Sequence, residues 1–444
     1  MNSLKALDET KLKAFHWRIV FTAGMGFFTD AYDLFVIGVV TALLTPLWHL
    51  STSQIAILNG AALASSAIGA IFFGYLADVY GRKRMYGVEV VILFIGAILS
   101  AFTHSFWTLL ATRVLVGLGI GGDYPASAVF ASEYSNRKNR GFLILLVFAM
   151  QALGLIVGPL LASIFLFYHI NYDLVWRLLV GLGALPAASV FYLRRRIPES
   201  PRFLIAKKQL PFEVSRVVAD LTGYTKQALS ETFEKQSIWQ KKWLLCLIGT
   251  AGAWFFLDIA FYGNSLSSVL ILRSLNPGNS LLIDTLLTGL MFLVFAVPGY
   301  ILAAYNIDRI GRRRLQMLGF VMIGIIFSLL GLIPALHENI SWFILAFGIS
   351  FFFINFGPNT TTFLIPAEVY PTSIRAEAHG VSAAVGKIGA FIGVFMLPYV
   401  LHHEGLAFIF ILMSIVSLLG LMVTFLIPEM SNVSLDATEV IADN

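Results

Sequence analysis

The chain is 444 residues long, 58% of them hydrophobic and only 12% charged, with a mean hydropathy of +0.82 and a formal net charge of +5. A soluble protein of this length carries about a quarter charged residues, so a water-facing globular domain is excluded, and a single cysteine, Cys246, excludes an internal disulfide framework. Recurrent apolar runs, each long enough to cross a bilayer as a helix, predict an all-α membrane protein.

The polar, basic head MNSLKALDETKLKAFHWR is not followed by a short apolar segment with a cleavage site, so it is expected to stay on the chain. Twelve spans are predicted near residues 18–46, 54–80, 85–103, 105–133, 141–168, 174–193, 243–272, 280–304, 315–336, 340–367, 377–401 and 406–427. Twelve spans return both termini to one side. The head and the loops of that side hold 26 of the 30 Lys and Arg residues; the other four are Arg113, Arg177, Arg273 and Lys387. Basic loops stay inside, so both termini are expected in the cytoplasm, with the protein in the cell membrane. The same bias explains the net charge without a nucleic-acid partner. A polar segment, 194–242, divides a six-helix bundle over 1–193 from a second over 243–430, and a cytoplasmic tail follows at 431–444.

Span 1 carries GFFTDAYDLF (26–35), with Asp30 and Asp33 three residues apart on one helical face. Asp123 lies in span 4 and Asp258 in span 7. Four ionised, lipid-facing carboxylates would cost roughly 10–14 kcal/mol on insertion scales, comparable with the stability of a whole domain. They are expected to face a wet cavity, find partners or hold protons, and burial beside another acid favours the protonated form. Asp30 and Asp33 therefore suit a proton relay. Glu89, in VEVVILF of span 3, suits its cytoplasmic end, or else is an interfacial acid reaching water. Lys387 stands out as the basic residue deep in a span, and a pairing with Asp123 that yields as protons arrive is expected for it.

The two halves repeat. GYLADVYGRKR (74–84) and AAYNIDRIGRRR (303–314) place Asp78, Gly81 and Arg82 in register with Asp308, Gly311 and Arg312 at an offset of 230. Glu133 and Arg140 are seven residues apart in loop 4–5, as are Glu368 and Arg375 in loop 10–11. These eight charged residues suit a latch across the halves that forms and breaks as the molecule opens. Duplication of this kind places a substrate between the halves near the bilayer midplane. Trp254 and Tyr262 flank Asp258 at i−4 and i+4 on one face of span 7. Tyr124 and Asn359 match under the repeat, as do Gln151 and Lys387. Tyr124, Gln151, Trp254, Asp258, Tyr262 and Asn359 are thus expected to converge on one site.

With the loop motifs and PESPRFL (198–204), the chain resembles the sugar-porter-like branch of the major facilitator superfamily. GFFTDAYDLF, GIGGDYPASAVFASEY (119–134), WFFLDIAFYGN (254–264) and NFGPNTTTFLIPAEVYPTSIRAEAHGVSAAVGKIGA (355–390) are similar to the proton-coupled inorganic phosphate symporters of plants and fungi. That resemblance implies two pseudo-symmetric six-helix bundles, alternating access, and monobasic phosphate and protons as partners. It also implies that the six residues above are phosphate-binding positions. Monobasic phosphate can donate its hydroxyl protons to Asp258, which sulfate cannot do near neutral pH. The other readings are a sugar or organic-acid porter on the same scaffold, or a nutrient receptor with little transport. No serine–histidine or metal-ligand cluster suggests an enzyme, and no cofactor or metal is expected. A monomer would suffice.

Overall fold

The computed structural model describes residues 3–195, 197–206, 218–219 and 236–435. Much of the expected central segment (207–217 and 220–235) and the end of the tail (436–444) lie outside the described residues. No strand occurs among the described residues, and twelve spans are helical. They are Ala14–Trp48, Thr52–Tyr80, Arg82–Ala101, Phe106–Tyr134, Arg140–Phe167 and Tyr172–Arg194 in the first half. The second half holds Lys241–Leu266, Leu281–Ile310, Arg312–Leu332, Ile340–Val369, Arg375–His403 and Gly405–Thr424. Ile68, Phe72, Val294, Leu418 and Met422 stand exposed on the outer faces of these helices, a surface suited to hydrocarbon and not to water.

Local chemistry sets where the spans begin and turn. Ser51, Ser105 and Ser280 accept from the backbone of Gln54, Thr108 and Ile283, and Asn171 and Asn339 cap spans 6 and 10 in the same manner. On the opposite, terminal face, Gly81 (φ 106°, ψ 149°) and Gly311 (φ 98°, ψ 154°) make the two Asp-x-x-Gly-Arg turns with nearly identical backbones. A side chain would be strained at either φ. A second repeat accompanies them. Glu199 accepts from the Lys83 amide at 3.1 Å, while Glu429 accepts from the Arg312 and Arg313 amides at 2.9 and 3.0 Å. Each carboxylate thus sits at a helix N-terminus, where the dipole favours it. Burial pushes the Glu199 carboxyl above its ordinary value, against the bonds it accepts.

Not every span is a straight helix. Pro125 lies inside a continuous helix, Phe106–Tyr134. Span 10 does break at Gly357, and Pro358 opens a new segment, Pro358–Leu364; a proline there has no N–H to continue the ladder. Span 5 breaks at Met150, span 6 continues past a turn at Gly183 to Arg195, and span 8 carries a π-helical turn, Phe292–Ala296.

Small residues let the helices approach. A Cβ on Gly121 of span 4 would come within 2.0 Å of the Ser66 carbonyl oxygen in span 2. Across the halves, a Cβ on Gly380 of span 11 would come within 2.4 Å of the Ala70 carbonyl oxygen. Such contacts bring backbones together where lipid offers no hydrophobic drive. Gly121→Val is expected to destabilise the protein by about 1–3 kcal/mol or more through overpacking. Gly87→Ala, at a position with nothing within 4 Å, is the neutral control; thermal unfolding of both variants in detergent checks the difference.

Candidate functional site

Four side chains, Asp258, Tyr262, Tyr124 and Trp254, meet between the halves around Lys387. Its Nζ donates to Asp258 Oδ2 at 3.1 Å and to Tyr262 OH at 3.0 Å. It also lies 4.3 Å from the ring centroids of both Tyr124 and Tyr262, an arrangement in which the rings' negative faces help hold a desolvated cation. The two tyrosine hydroxyls are 3.1 Å apart, and the Trp254 ring centroid is 6.0 Å from that of Tyr124. Gln151 and Asn359 belong to an adjoining network. Gln151 Oε1 accepts from Tyr300 OH at 2.5 Å and from Asn359 Nδ2 at 3.1 Å. Asn359 Nδ2 also lies 2.7 Å from Tyr300 OH and from Asn355 Oδ1. One amide with two hydrogens faces three acceptors, so this network has more than one way to be satisfied. All six expected site residues are at most 3% exposed.

Aromatic rings close the chamber on its terminal side. Phe363 stacks on Phe148 at 4.5 Å and meets Phe27, Tyr124 and Trp254 edge-on. On the opposite side, Phe35 stacks on Tyr262 at 5.4 Å with the rings 4° from parallel.

The expected pairing of Lys387 with Asp123 does not occur. Asp123 belongs to Arg194, whose Nη2 lies 2.8 Å from both of its carboxylate oxygens and whose Nη1 donates to Glu89 at 2.8 Å. The reason is helical rotation. Successive residues on a helix point about 100° apart, so Tyr124 faces the second half while Asp123 turns back toward spans 3 and 6. Lys387 is likewise not alone as a deep basic residue. Arg113 is buried in span 4 and donates to the Asp33 carbonyl oxygen at 2.6 Å, and Arg194 reaches inward from the end of span 6. Gly26 makes room for that reach, since a Cβ there would come within 2.0 Å of Arg194 Nη2. Asp30 and Asp33 are both 1% exposed, and none of their carboxyl oxygens accepts a hydrogen bond. The two acids lie within electrostatic reach of each other; Asp30 also lies within reach of Asp123, Arg194 and Glu89, and Asp33 within reach of Arg113.

On the terminal face the eight repeated charges form a cross-linked set. Arg82 and Arg375 share Glu133 at 3.1 and 3.2 Å, and Arg140 and Arg312 share Glu368 at 2.6 and 2.9 Å. Arg375–Glu133 and Arg140–Glu368 join the two halves. Asp78 accepts from the Glu377 amide at 2.7 Å and Asp308 from the Phe142 amide at 2.9 Å, again across the halves and again as a matched pair. The tail adds to them. Arg140 donates to the Val433 carbonyl at 2.8 Å, Arg312 to Ser431 Oγ at 3.3 Å, and Ser434 to Asp8 at 2.6 Å.

Sequence reasoning missed Tyr300, Asn355, Arg194 and the paired Glu199 and Glu429. Ile-Pro-Glu at 197–199 and again at 427–429, with the same offset of 230, was a legible signal for the last two. Arg194 was hidden in a run of three arginines. Tyr300 carries no motif.

A buried polar cluster between two related helical bundles, with charges paired across one face, is the arrangement of a membrane transporter. The chain belongs to the family described as sugar (and other) transporter, which matches residues 15–442 and lies within the major facilitator superfamily. It is an integral, multi-pass membrane protein. It is 35% identical to inorganic phosphate transporter 1-1 of Arabidopsis thaliana, covering 98% of this chain and 96% of that one. Inorganic phosphate transporter 1-4 of the same plant is 36% identical over 98% and 94%. Low affinity inorganic phosphate transporter 1 of Petunia hybrida is 35% identical over 98% and 94%. Among solved structures, the proton:xylose symporter XylE bound to 6-bromo-6-deoxy-D-glucose superposes with a TM-score of 0.83 at 18% identity, covering 96% of this chain and 99% of that one. Inward-open XylE from E. coli gives 0.67 at 17% identity, over 96% and 99%. Both share the fold.

Removing one partner of a buried ion pair strands the other charge, at about 3–5 kcal/mol. Lys387→Met is expected to destabilise the protein by that amount. Asp258→Asn added to it should recover most of the loss, as read by thermal unfolding of the single and double variants.

Proposed function

We propose that this protein takes up inorganic phosphate together with protons across a cell membrane by alternating access, with both termini in the cytoplasm. The observation that carries the reading is the Lys387–Asp258 ion pair in a closed, neutral hydrogen-bonding chamber between the halves; relatives about 35% identical over nearly the whole chain, named as inorganic phosphate transporters, support it. The bundles over 1–193 and 243–430 are the moving units, and one copy of the chain contains the whole chamber.

In this reading Tyr124, Gln151, Trp254, Asp258, Tyr262 and Asn359 bind the substrate, and Tyr300 joins them by holding Gln151 and Asn359. Asp258 occupies Lys387 in the ground state. A proton on Asp258 releases the ammonium to face monobasic phosphate, and the neutral carboxyl donates to a phosphate oxygen. An ionised Asp258 instead accepts a phosphate hydroxyl proton. In the ionised form the site reads substrate protons, and a site built to pair with them rejects analogues that lack them strongly. Tyrosine, tryptophan and amide groups add neutral hydrogen bonds that let the ligand leave.

Asp30 and Asp33 take protons, and Asp123 and Glu89 pass them toward the cytoplasm as Arg194 exchanges partners. Each elementary charge moved across 100 mV is worth about 2.3 kcal/mol. One proton offsets the cost of carrying a monovalent anion inward against an inside-negative potential. Further protons make uptake electrogenic. The latch of Asp78, Arg82, Glu133 and Arg140 with Asp308, Arg312, Glu368 and Arg375 holds the cytoplasmic side shut and breaks when the molecule opens inward.

Radiolabelled phosphate uptake into proteoliposomes is expected to rise with an inward proton gradient, to resist competition by sulfate, and to be lost in Asp258→Asn and Asp30→Asn. Absence of uptake by intact, inserted protein would discard phosphate as the substrate. Tyr300→Phe removes one hydrogen-bonding hydroxyl, worth about 0.5–1.5 kcal/mol. It is expected to raise KM for phosphate roughly three- to tenfold in the same assay, while leaving proton-gradient dependence in place.

A further inference from the structure

Beyond the Phe35–Tyr262 stack, on the face away from the termini, a cleft of about 390 Å³ opens between the two halves. Gly38, Thr41 and Thr45 of span 1, Asn59 of span 2, and Ser267 and Arg273 beyond the end of span 7 line it. Its floor is close-packed, since a Cβ on Gly38 would come within 2.4 Å of the Leu266 carbonyl oxygen. Gly38 lies about one helical turn from Phe35, and Leu266 about one turn from Tyr262. The cleft therefore ends roughly a turn beyond the central chamber, on the same two helices.

The charge in this cleft is unusual. Arg273 is its one ionisable lining residue, and no carboxylate lines it. Four basic residues lie away from the basic face of the chain. Arg177 pairs with Asp173 at 3.1 Å, Lys387 with Asp258 at 3.1 Å, and Arg113 donates to the Asp33 carbonyl. Arg273 is exposed, and among the described residues no carboxylate comes within 4 Å of it. Asp284 lies within electrostatic reach but takes the Asn279 amide at 3.2 Å. Asn59, 6% exposed, adds an amide that donates to no described group, and its Oδ1 accepts nothing. A guanidinium presents a planar fork of donors to an oxyanion, and a cleft lined by one sign of charge concentrates ions of the other.

We propose that this cleft is an anion-capture site, in which Arg273 and the Asn59 amide hold a small tetrahedral oxyanion before it passes the Phe35–Tyr262 stack. It rests on the phosphate reading of the central chamber for where the anion goes next. Capture here is by charge, so phosphate and sulfate are both held; selection by substrate protons belongs to the chamber beyond.

The test reads occupancy and not transport. In a Cys246→Ser background, Thr45→Cys places a single thiol in the cleft, and anionic and cationic methanethiosulfonate reagents report the local field. The anionic-to-cationic labelling ratio is expected to fall roughly tenfold when Arg273→Gln is added. Phosphate and sulfate are expected to slow anionic labelling beyond chloride at matched ionic strength. Arg273→Gln should abolish that protection, and Asn59→Leu should weaken it. Protection no greater than chloride's, or equal protection in Arg273→Gln, would overturn the capture site. Protection in a protein that fails to accumulate phosphate would support the capture site and overturn phosphate as the transported ion. Uptake without protection would overturn the capture site alone.

Discussion

Buried charge governs this molecule. Within a bilayer, an ionised side chain must be paired, neutralised or kept at a wet surface, and each solution appears in a different part of the interior. Lys387 and Asp258 are paired and wrapped by aromatic rings. Arg194 serves Asp123 and Glu89 together. Asp30 and Asp33 have no hydrogen bond to their carboxyl oxygens. A paired lysine and carboxylate thus lie beside acids whose carboxyl oxygens accept no hydrogen bond, the setting on which the proton-coupled reading rests.

The same constraint links the interior to the terminal face. Eight repeated charges are paired into two matched clusters around Glu133 and Glu368, both fully buried. Buried ion pairs contribute little net stability against apolar replacements, so their value here lies in specificity. Arg375 finds Glu133 and Arg140 finds Glu368 only when the halves are docked. These pairs thus belong to the docked arrangement of the bundles, and the tail, bonded to Arg140, Arg312 and Asp8, is part of it.

Pseudo-symmetry is strong in the frame and weak in the chamber. Gly81 and Gly311 share a backbone conformation, and Glu199 and Glu429 share a helix N-terminus. In the chamber, however, the first half supplies Tyr124 and Gln151, while the second supplies Trp254, Asp258, Tyr262, Asn359 and Lys387. Tyr300, which joins Gln151 to Asn359, has no motif in the sequence. The matched positions are those that hold the bundles together, and the residues of the central cluster differ between the halves.

The sequence by itself determined the twelve spans, the charged face, the repeat and the acids of the interior. All of these follow from composition along the chain, because a bilayer punishes any polar residue in a span and a loop motif is local. What it could not determine is which acid meets which base. Lys387 was expected at Asp123 and lies at Asp258, since neighbours on one helix point about 100° apart and one residue decides which half a side chain enters. Pro125 and Pro358 both lie within spans, yet the helix runs on through the first and breaks before the second. Rotation of helices about their axes, and the reach of long side chains such as Arg194 into gaps left by glycines such as Gly26, are set by packing between segments far apart in the chain. Only the tertiary structure holds that information.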